Sequence, residues 1–297
     1  MSDSAAASTN VPAISFEFFP PATPEGSMRL WRSVERLAPL GPDYVSVTYG
    51  AGGTTRDRTL SAIQTIVERA RLTVAGHLTC VNATKAQTLE VAEKYRAIGA
   101  RRIVALRGDP PKGASKFEPH PEGFASAAEL VAALAKAGHD KISVAAYPEM
   151  HPEASSLQAD IDNLKRKLDA GADQAITQFF FDNDDYFRFL DAARKAGIDA
   201  PIIPGILPIE NFAKMSKFAA MCGAKVPEWM GKAFETAEEQ GASETLSVSL
   251  CAEQCQGLAA QGVEQLHVYT LNNPDLPYAV CRALGVEAGP ERIAAAG

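Results

Sequence analysis

The run Ile14-Ser15-Phe16-Glu17-Phe18-Phe19-Pro20-Pro21 sets one carboxylate among aromatic residues. A carboxylate held between Phe rings loses hydration in its charged form, so its pKa is expected to rise and Glu17 would carry a proton near neutral pH, as a general acid must. A side chain pointing outward from a half-buried strand, or one paired with an arginine, is the competing reading. Glu17 has company. Thr48-Tyr49-Gly50, His77, Arg107-Gly108-Asp109, Tyr147-Pro148-Glu149-Met150-His151, Gln178 and Tyr269-Thr270-Leu271-Asn272 also sit on or just after short β-type runs. Some will cap helices or satisfy loop backbone, but polar groups at so many strand ends point to a small-molecule enzyme.

Arg107-Gly108-Asp109-Pro110-Pro111 opens a Pro- and Gly-rich stretch that reaches Gly123, longer than a plain connection and of the kind that forms lids. Arg107 and Asp109 could equally form a local ion pair that fixes the loop. Farther on, Asp160, Asn163 and Lys167 share a helical face beside an apolar stripe of Ile161, Leu164 and Leu168. A carboxylate and an amide suit ribose hydroxyls, and Arg166 or Lys167 suits phosphate, as a nucleotide-type cofactor needs; a solvated charged face is the plainer reading. The histidines show no H-E-x-x-H spacing, so no metal site is expected, and neither a G-x-S-x-G elbow nor a G-x-x-x-x-G-K-[ST] loop occurs. A flavin-type cofactor is the economical choice.

Eight β-type runs must position these groups: 14–18, 44–48, 73–79, 102–106, 142–146, 174–179, 202–207 and 265–271. Helical patterns follow them, for example over 58–70, 85–98, 125–136, 157–170 and 184–195, with an extra one near 227–238. Eight βα units in a row favour a single-domain α/β (βα)8 TIM barrel, whose chemistry belongs at the C-terminal ends of the strands. An open doubly wound sheet is the main alternative, but no G-x-G-x-x-G follows any strand. The expected organisation is a disordered lead over 1–13, a catalytic barrel over 14–285 and a flexible tail over 286–297.

With 46% hydrophobic and 22% charged residues and no long apolar run, the chain reads as soluble. Its net charge of −7 opposes nucleic acid and anionic lipid as general partners. Five cysteines without a C-x-x-C pair, and no signal-peptide pattern at the start, suggest a reducing compartment, the cytoplasm.

Several of these stretches together resemble one family. Residues 15–21, Val45-Ser46-Val47-Thr48-Tyr49-Gly50-Ala51, His77-Leu78-Thr79-Cys80, Val104-Ala105-Leu106-Arg107-Gly108-Asp109, Ala145-Ala146-Tyr147-Pro148-Glu149, Ile176-Thr177-Gln178-Phe179-Phe180-Phe181 and Pro204-Gly205-Ile206-Leu207-Pro208 are similar, in this order, to methylenetetrahydrofolate reductase in its bacterial catalytic-only form. The resemblance implies a barrel holding FAD, reduced by NADH or NADPH and reoxidised by 5,10-methylenetetrahydrofolate in a ping-pong reaction, usually in a homo-oligomer. It implies that Glu17 protonates folate N10 and that Asp109 stabilises the resulting cation. FAD contacts would fall on Tyr49, Ala51, His77, Leu106, Arg107, Gly108, Asp109, Phe124, Ala125, Tyr147, His151, Ala154, Asp160, Asn163, Arg166 and Lys167. Thr48, Gln178 and Phe218 would meet the substrates. Three positions depart from the pattern: Phe124 stands for a Tyr of some relatives, Asn273 for an Arg and Lys214 for a Gln, so Lys214 is a candidate to serve the folate end in place of the lost Arg. Another barrel flavoprotein, such as a proline-dehydrogenase-like oxidase, or a flavin- or folate-binding protein without turnover, is the alternative.

Overall fold

A computed structural model describes residues 11–49, 56–110 and 117–289. Its eight strands are β1 (Ala13–Phe18), β2 (Tyr44–Val47), β3 (Val74–Thr79), β4 (Arg102–Leu106), β5 (Ile142–Ala146), β6 (Gln174–Phe179), β7 (Ile202–Ile206) and β8 (Gln265–Tyr269). All pair in parallel in sequence order, and β8 returns to β1, which closes the barrel. The single-domain (βα)8 expectation holds, and the open sheet is excluded.

Strand register decides which side chains face inward. Ser15 lies opposite Tyr44 and His267, and Glu17 lies opposite Ser46 and Tyr269. His77 aligns with Val104, Val104 with Ser143, and Ser143 with Gln174. These residues line the barrel interior, while Phe16 and Phe18, one step off in the period of two, are buried in the layer between strands and helices. Glycine permits two close approaches: a Cβ at Gly205 would run into the Thr177 carbonyl oxygen, and one at Gly76 would meet the Tyr95 ring at 2.5 Å.

The outer helices are α1 (Pro24–Leu37), α2 (Arg56–Thr65, with a wider last turn over Ile66–Ala70), α3 (Lys85–Ala97), α4 (Ala127–Lys136), α5 (Leu157–Asp169), α6 (Asn183–Lys195), α7 (Phe212–Cys222), α8 (Glu228–Glu239), α9 (Ser243–Ala260) and α10 (Asp275–Ala283). Thr84 and Gln87 form a reciprocal capping box on α3, and Ser126, Ser156 and Asn211 each accept a backbone N–H at the starts of α4, α5 and α7. Three helices, α7 to α9, separate β7 from β8, where an ordinary unit has one. Phe179, Leu207, Ile209, Met215, Met230 and Phe234 form a second apolar cluster beneath α7 and α8. At the ends, β1 already begins at Ala13, and the Gly289 N–H donates to Pro39 O at 2.8 Å.

Candidate active site

Glu17 enters the barrel from β1 and finds two imidazoles. Its Oε2 lies 3.2 Å from His77 Nε2 of β3 and 3.5 Å from His267 Nε2 of β8. Its side chain is only 13% exposed. Burial pushes the carboxyl up, but the charge of His77 and the hydrogen bond from His267 outweigh it and hold the pKa down at about 2. The expectation of a raised pKa is therefore corrected. It took sequence neighbours for spatial ones: Phe16 and Phe18 face the helices, and histidines from distant strands face Glu17.

Behind His267 lies Ser15, whose Oγ is 2.8 Å from Nδ1 and 3.2 Å from Leu266 O. If Ser15 donates to Leu266 O, His267 donates from Nδ1 and one more proton bridges Nε2 and Glu17. If Ser15 donates to Nδ1, the neutral ring donates its Nε2–H to Glu17. Either arrangement keeps a proton between His267 and the carboxylate. Nothing in the spacing along the chain pairs His267 with Ser15; the signal for it is barrel closure, which makes the last strand the neighbour of the first.

On the next side of the mouth, Gly108 adopts φ +88°, and a Cβ there would meet Val81 Cγ1 at 2.8 Å, so only glycine lets this loop fold against β3. Arg107 pairs with Glu153 at 2.7 Å and lies over the Phe117 ring, rather than with Asp109. The local-pair reading of Arg107 and Asp109 is thereby excluded, and the exposed Asp109 carboxylate raises the pKa values of nearby Tyr147 and Cys222, after burial. Tyr147 and His151 meet edge to face at 4.6 Å. Burial lowers the His151 pKa, and its Nδ1 accepts the Glu153 N–H, leaving Nε2 to carry the proton of the neutral ring.

The α5 face is not a solvated charged surface. Asp160 and Lys167 are buried; Asp160 Oδ2 accepts the His151 N–H at 2.8 Å, and Lys167 Nζ donates to Ala145 O at 2.5 Å. Burial lowers the Lys167 pKa to about 8, against the pull of Asp160. Asn163 accepts from Arg166, which is exposed. Leu106 is half-buried at the interior end of β4, Ala154 is half-buried on the loop after β5, and Ala125 is exposed at the entry to α4. Phe124 lies in the core with Lys85 over its ring, and Tyr49 accepts from Arg56. Ala51 falls outside the described residues.

Across the mouth, Gln178 sits at an irregularity in the β6/β7 pairing, and its Oε1 accepts the Phe179 N–H. Phe218 of α7 stacks on Phe179 with ring centroids 5.4 Å apart. Thr48 follows β2, its N–H bound to Phe18 O. Lys214 is exposed in the first turn of α7. Asn273 Oδ1 accepts the Asp275 N–H just ahead of α10, in a small groove that also contains Glu210.

A closed parallel barrel with a buried carboxylate–imidazole group inside it and a cation-bearing helix at its rim defines a (βα)8 barrel enzyme with its site at the strand C-termini. The family profile of methylenetetrahydrofolate reductase matches residues 2–285. The 5,10-methylenetetrahydrofolate reductase of Salmonella typhimurium is 49% identical over 277 residues, covering 93% of this chain and 92% of that one, and the Escherichia coli enzyme is 48% identical over the same shares. The chain belongs to the methylenetetrahydrofolate reductase family and is an oxidoreductase. An Arabidopsis thaliana methylenetetrahydrofolate reductase (NADH) 1 is 38% identical over 88% of this chain and 46% of its own length. Among solved structures, a Clostridium thermocellum protein described as binding two copies of 5-methyl-5,6,7,8-tetrahydrofolic acid superposes with TM-score 0.58 at 14% identity, over 94% of this chain and 96% of that one, a likeness of fold.

Proposed function

We propose that this chain reduces 5,10-methylenetetrahydrofolate to 5-methyltetrahydrofolate with electrons from NADH or NADPH, both substrates using one cavity in turn around a bound FAD. The observation that carries the reading is the proton-holding group of Glu17, His77 and His267 inside the barrel. The α5 rim fits the cofactor chemically. Lys167 uses one of its three donors on Ala145 O and keeps the others for a phosphate, beside Arg166, while Asp160 and Asn163 offer ribose partners. Gly108 brings backbone close, and Tyr147, His151 and Tyr49 supply ring surfaces; Ala51, His77, Leu106, Arg107, Phe124, Ala125 and Ala154 complete the proposed set. When bound, FAD supplies the hydride carrier between the two substrates.

The residues do the rest. Glu17, ionised at rest, passes to folate N10 a proton drawn from the neighbouring imidazoles as the methylene bridge opens, which is how a carboxyl with a pKa of about 2 serves as an acid. Asp109 faces the cation that forms. Thr48 and Gln178 hold the nicotinamide nucleotide, Gln178 also folate, and Phe218 stacks on whichever substrate is present. Lys214 reaches toward the folate carboxylates, because Asn273 brings no charge and its Oδ1 is taken up by the Asp275 N–H. Five free cysteines suit a cytoplasmic enzyme, and the family resemblance implies a homo-oligomer.

Glu17→Gln tests the reading. Purified wild-type protein should be yellow, bleach with NADH and recolour with methylenetetrahydrofolate. The variant should keep FAD and its reduction while reoxidation by folate slows at least about 10²-fold. Equal slowing of both half-reactions in stopped-flow absorbance would make Glu17 structural.

A further inference from the structure

The loop after β5 and the end of α7 are 76 residues apart in sequence, yet one side chain joins them. Glu149 is nearly buried, its side chain 5% exposed, and both of its carboxylate oxygens accept the Lys225 backbone N–H, at 3.0 and 3.1 Å. The exposed Lys225 ammonium stands 3.9 Å from the same carboxylate. A second contact lies alongside. Gly223, the left-handed cap of α7 at φ +74°, lies flush on the β5 loop, and a Cβ there would sit 3.0 Å from Pro152 Cγ. Between Glu149 and Pro152, Met150 is held at φ +76°, a conformation that a bulky side chain adopts only where its surroundings impose it.

The two joined segments follow β5 and β7, which flank β6 in the barrel. One carries Tyr147, His151 and Ala154 and leads into α5; the other is the helix that presents Phe218. We infer that Glu149 is a positioning residue that fastens α7 to the cofactor-side loop and so sets the distance between the Phe218 ring and the flavin side of the cavity. This deepens the reading above and rests on it. A charged acceptor bound to a backbone N–H is a directional tie, and the glycine beside it removes the side chain that would hold the surfaces apart. Untied, α7 would populate displaced positions, and the apparent affinity for substrate would fall by the fraction of time it is seated, while the rate at saturation would recover as substrate selects the seated form.

The test uses FAD-loaded enzyme carrying Glu149→Ala, Glu149→Gln and Gly223→Ala. Amide hydrogen exchange followed by mass spectrometry should quicken over 212–227 in Glu149→Ala and stay as in wild type in the barrel strands. If loss of the tie leaves α7 seated about a tenth of the time, the KM for methylenetetrahydrofolate rises about tenfold with the saturated rate of flavin reoxidation within about twofold. Glu149→Gln, which keeps one acceptor oxygen, should fall between Ala and wild type. The Glu149→Ala/Gly223→Ala double variant should raise KM by less than the product of the single effects, because both break one contact. Unchanged exchange over 212–227 overturns the tie. Quicker exchange with an unchanged KM, or a lower saturated rate and melting temperature with an unchanged KM, makes the contact structural and overturns the positioning role. A wild-type chain without folate turnover would refute the function proposed above by itself, and the exchange measurement would still decide the tie.

Discussion

Glu17 shows how a side chain's chemistry belongs to its neighbours in space. Between two phenylalanines in sequence it looks like a carboxyl forced neutral; between His77 and His267 it is held ionised. His77→Gln removes the strongest opposing influence and leaves burial set against His267 alone, so the Glu17 pKa should climb from about 2. Infrared titration of the carboxyl band, with Glu17→Gln as reference, reads this, and an unmoved pKa would mean that His77 is not what holds it down. Lys167 poses the opposite problem, a cation without water. Lys167→Met keeps the bulk and removes a costly buried charge, so the apo-protein should be as stable or more so, while flavin is lost on dialysis. Full flavin content after dialysis would remove Lys167 from the cofactor site.

Among strands and helices, β6 and β7 carry the tightest steric requirement. Gly205 donates its N–H to Thr177 Oγ1 at 2.8 Å and leaves no room for a Cβ before the Thr177 carbonyl, into which Tyr269 also donates. Because backbone cannot swing aside as a side chain can, Gly205→Ala should cost about 3 kcal/mol or more in urea unfolding, the upper end for overpacking. A loss under 1 kcal/mol would show that the strand pair yields. At the start of α7, Lys214→Gln should raise the folate KM severalfold at low ionic strength, since an exposed ion pair is worth about 1 kcal/mol or less. NADH reduction of the flavin should not respond. If the KM stays put, Lys214 is not a substrate ligand, and no charge replaces the one missing at Asn273.

Taken over the complete barrel, these buried groups give stability a defined pH dependence. Glu17 has its folded pKa depressed to about 2, so its contribution is fully present above 4.5 and is lost as pH falls from 4.5 toward 2. Lys167 is depressed to about 8 from 10.5, so the unfolded chain binds more protons between those values and stability should rise with pH through that window. Each window amounts to about 3 kcal/mol at 1.36 kcal/mol per pH unit. Urea unfolding of the apo-protein from pH 3 to 10 checks both signs. A bound cofactor phosphate favours the charged lysine and should flatten the upper rise; an equal rise with and without FAD would separate Lys167 from the phosphate.

The alternation of short β-branched runs with helical patterns was enough to specify eight βα units, because local periodicity and propensity are properties of a few consecutive residues. The strand limits read from the sequence differ from those observed by no more than two residues at any end. Parity was legible in principle: Glu17 and its phenylalanines had to face opposite sides of β1. What stood on Glu17's side was not, because His77 and His267 arrive from β3 and β8 only once the sheet closes on itself. The same holds for the Arg107–Glu153 pair, for the burial of Asp160 and Lys167, and for the Glu149 carboxylate on the Lys225 N–H. Spacing along a chain reports which side chains share a face, whereas partners and hydration are set by contacts between segments far apart in sequence, and those contacts settle which charges are held, moved or neutralised.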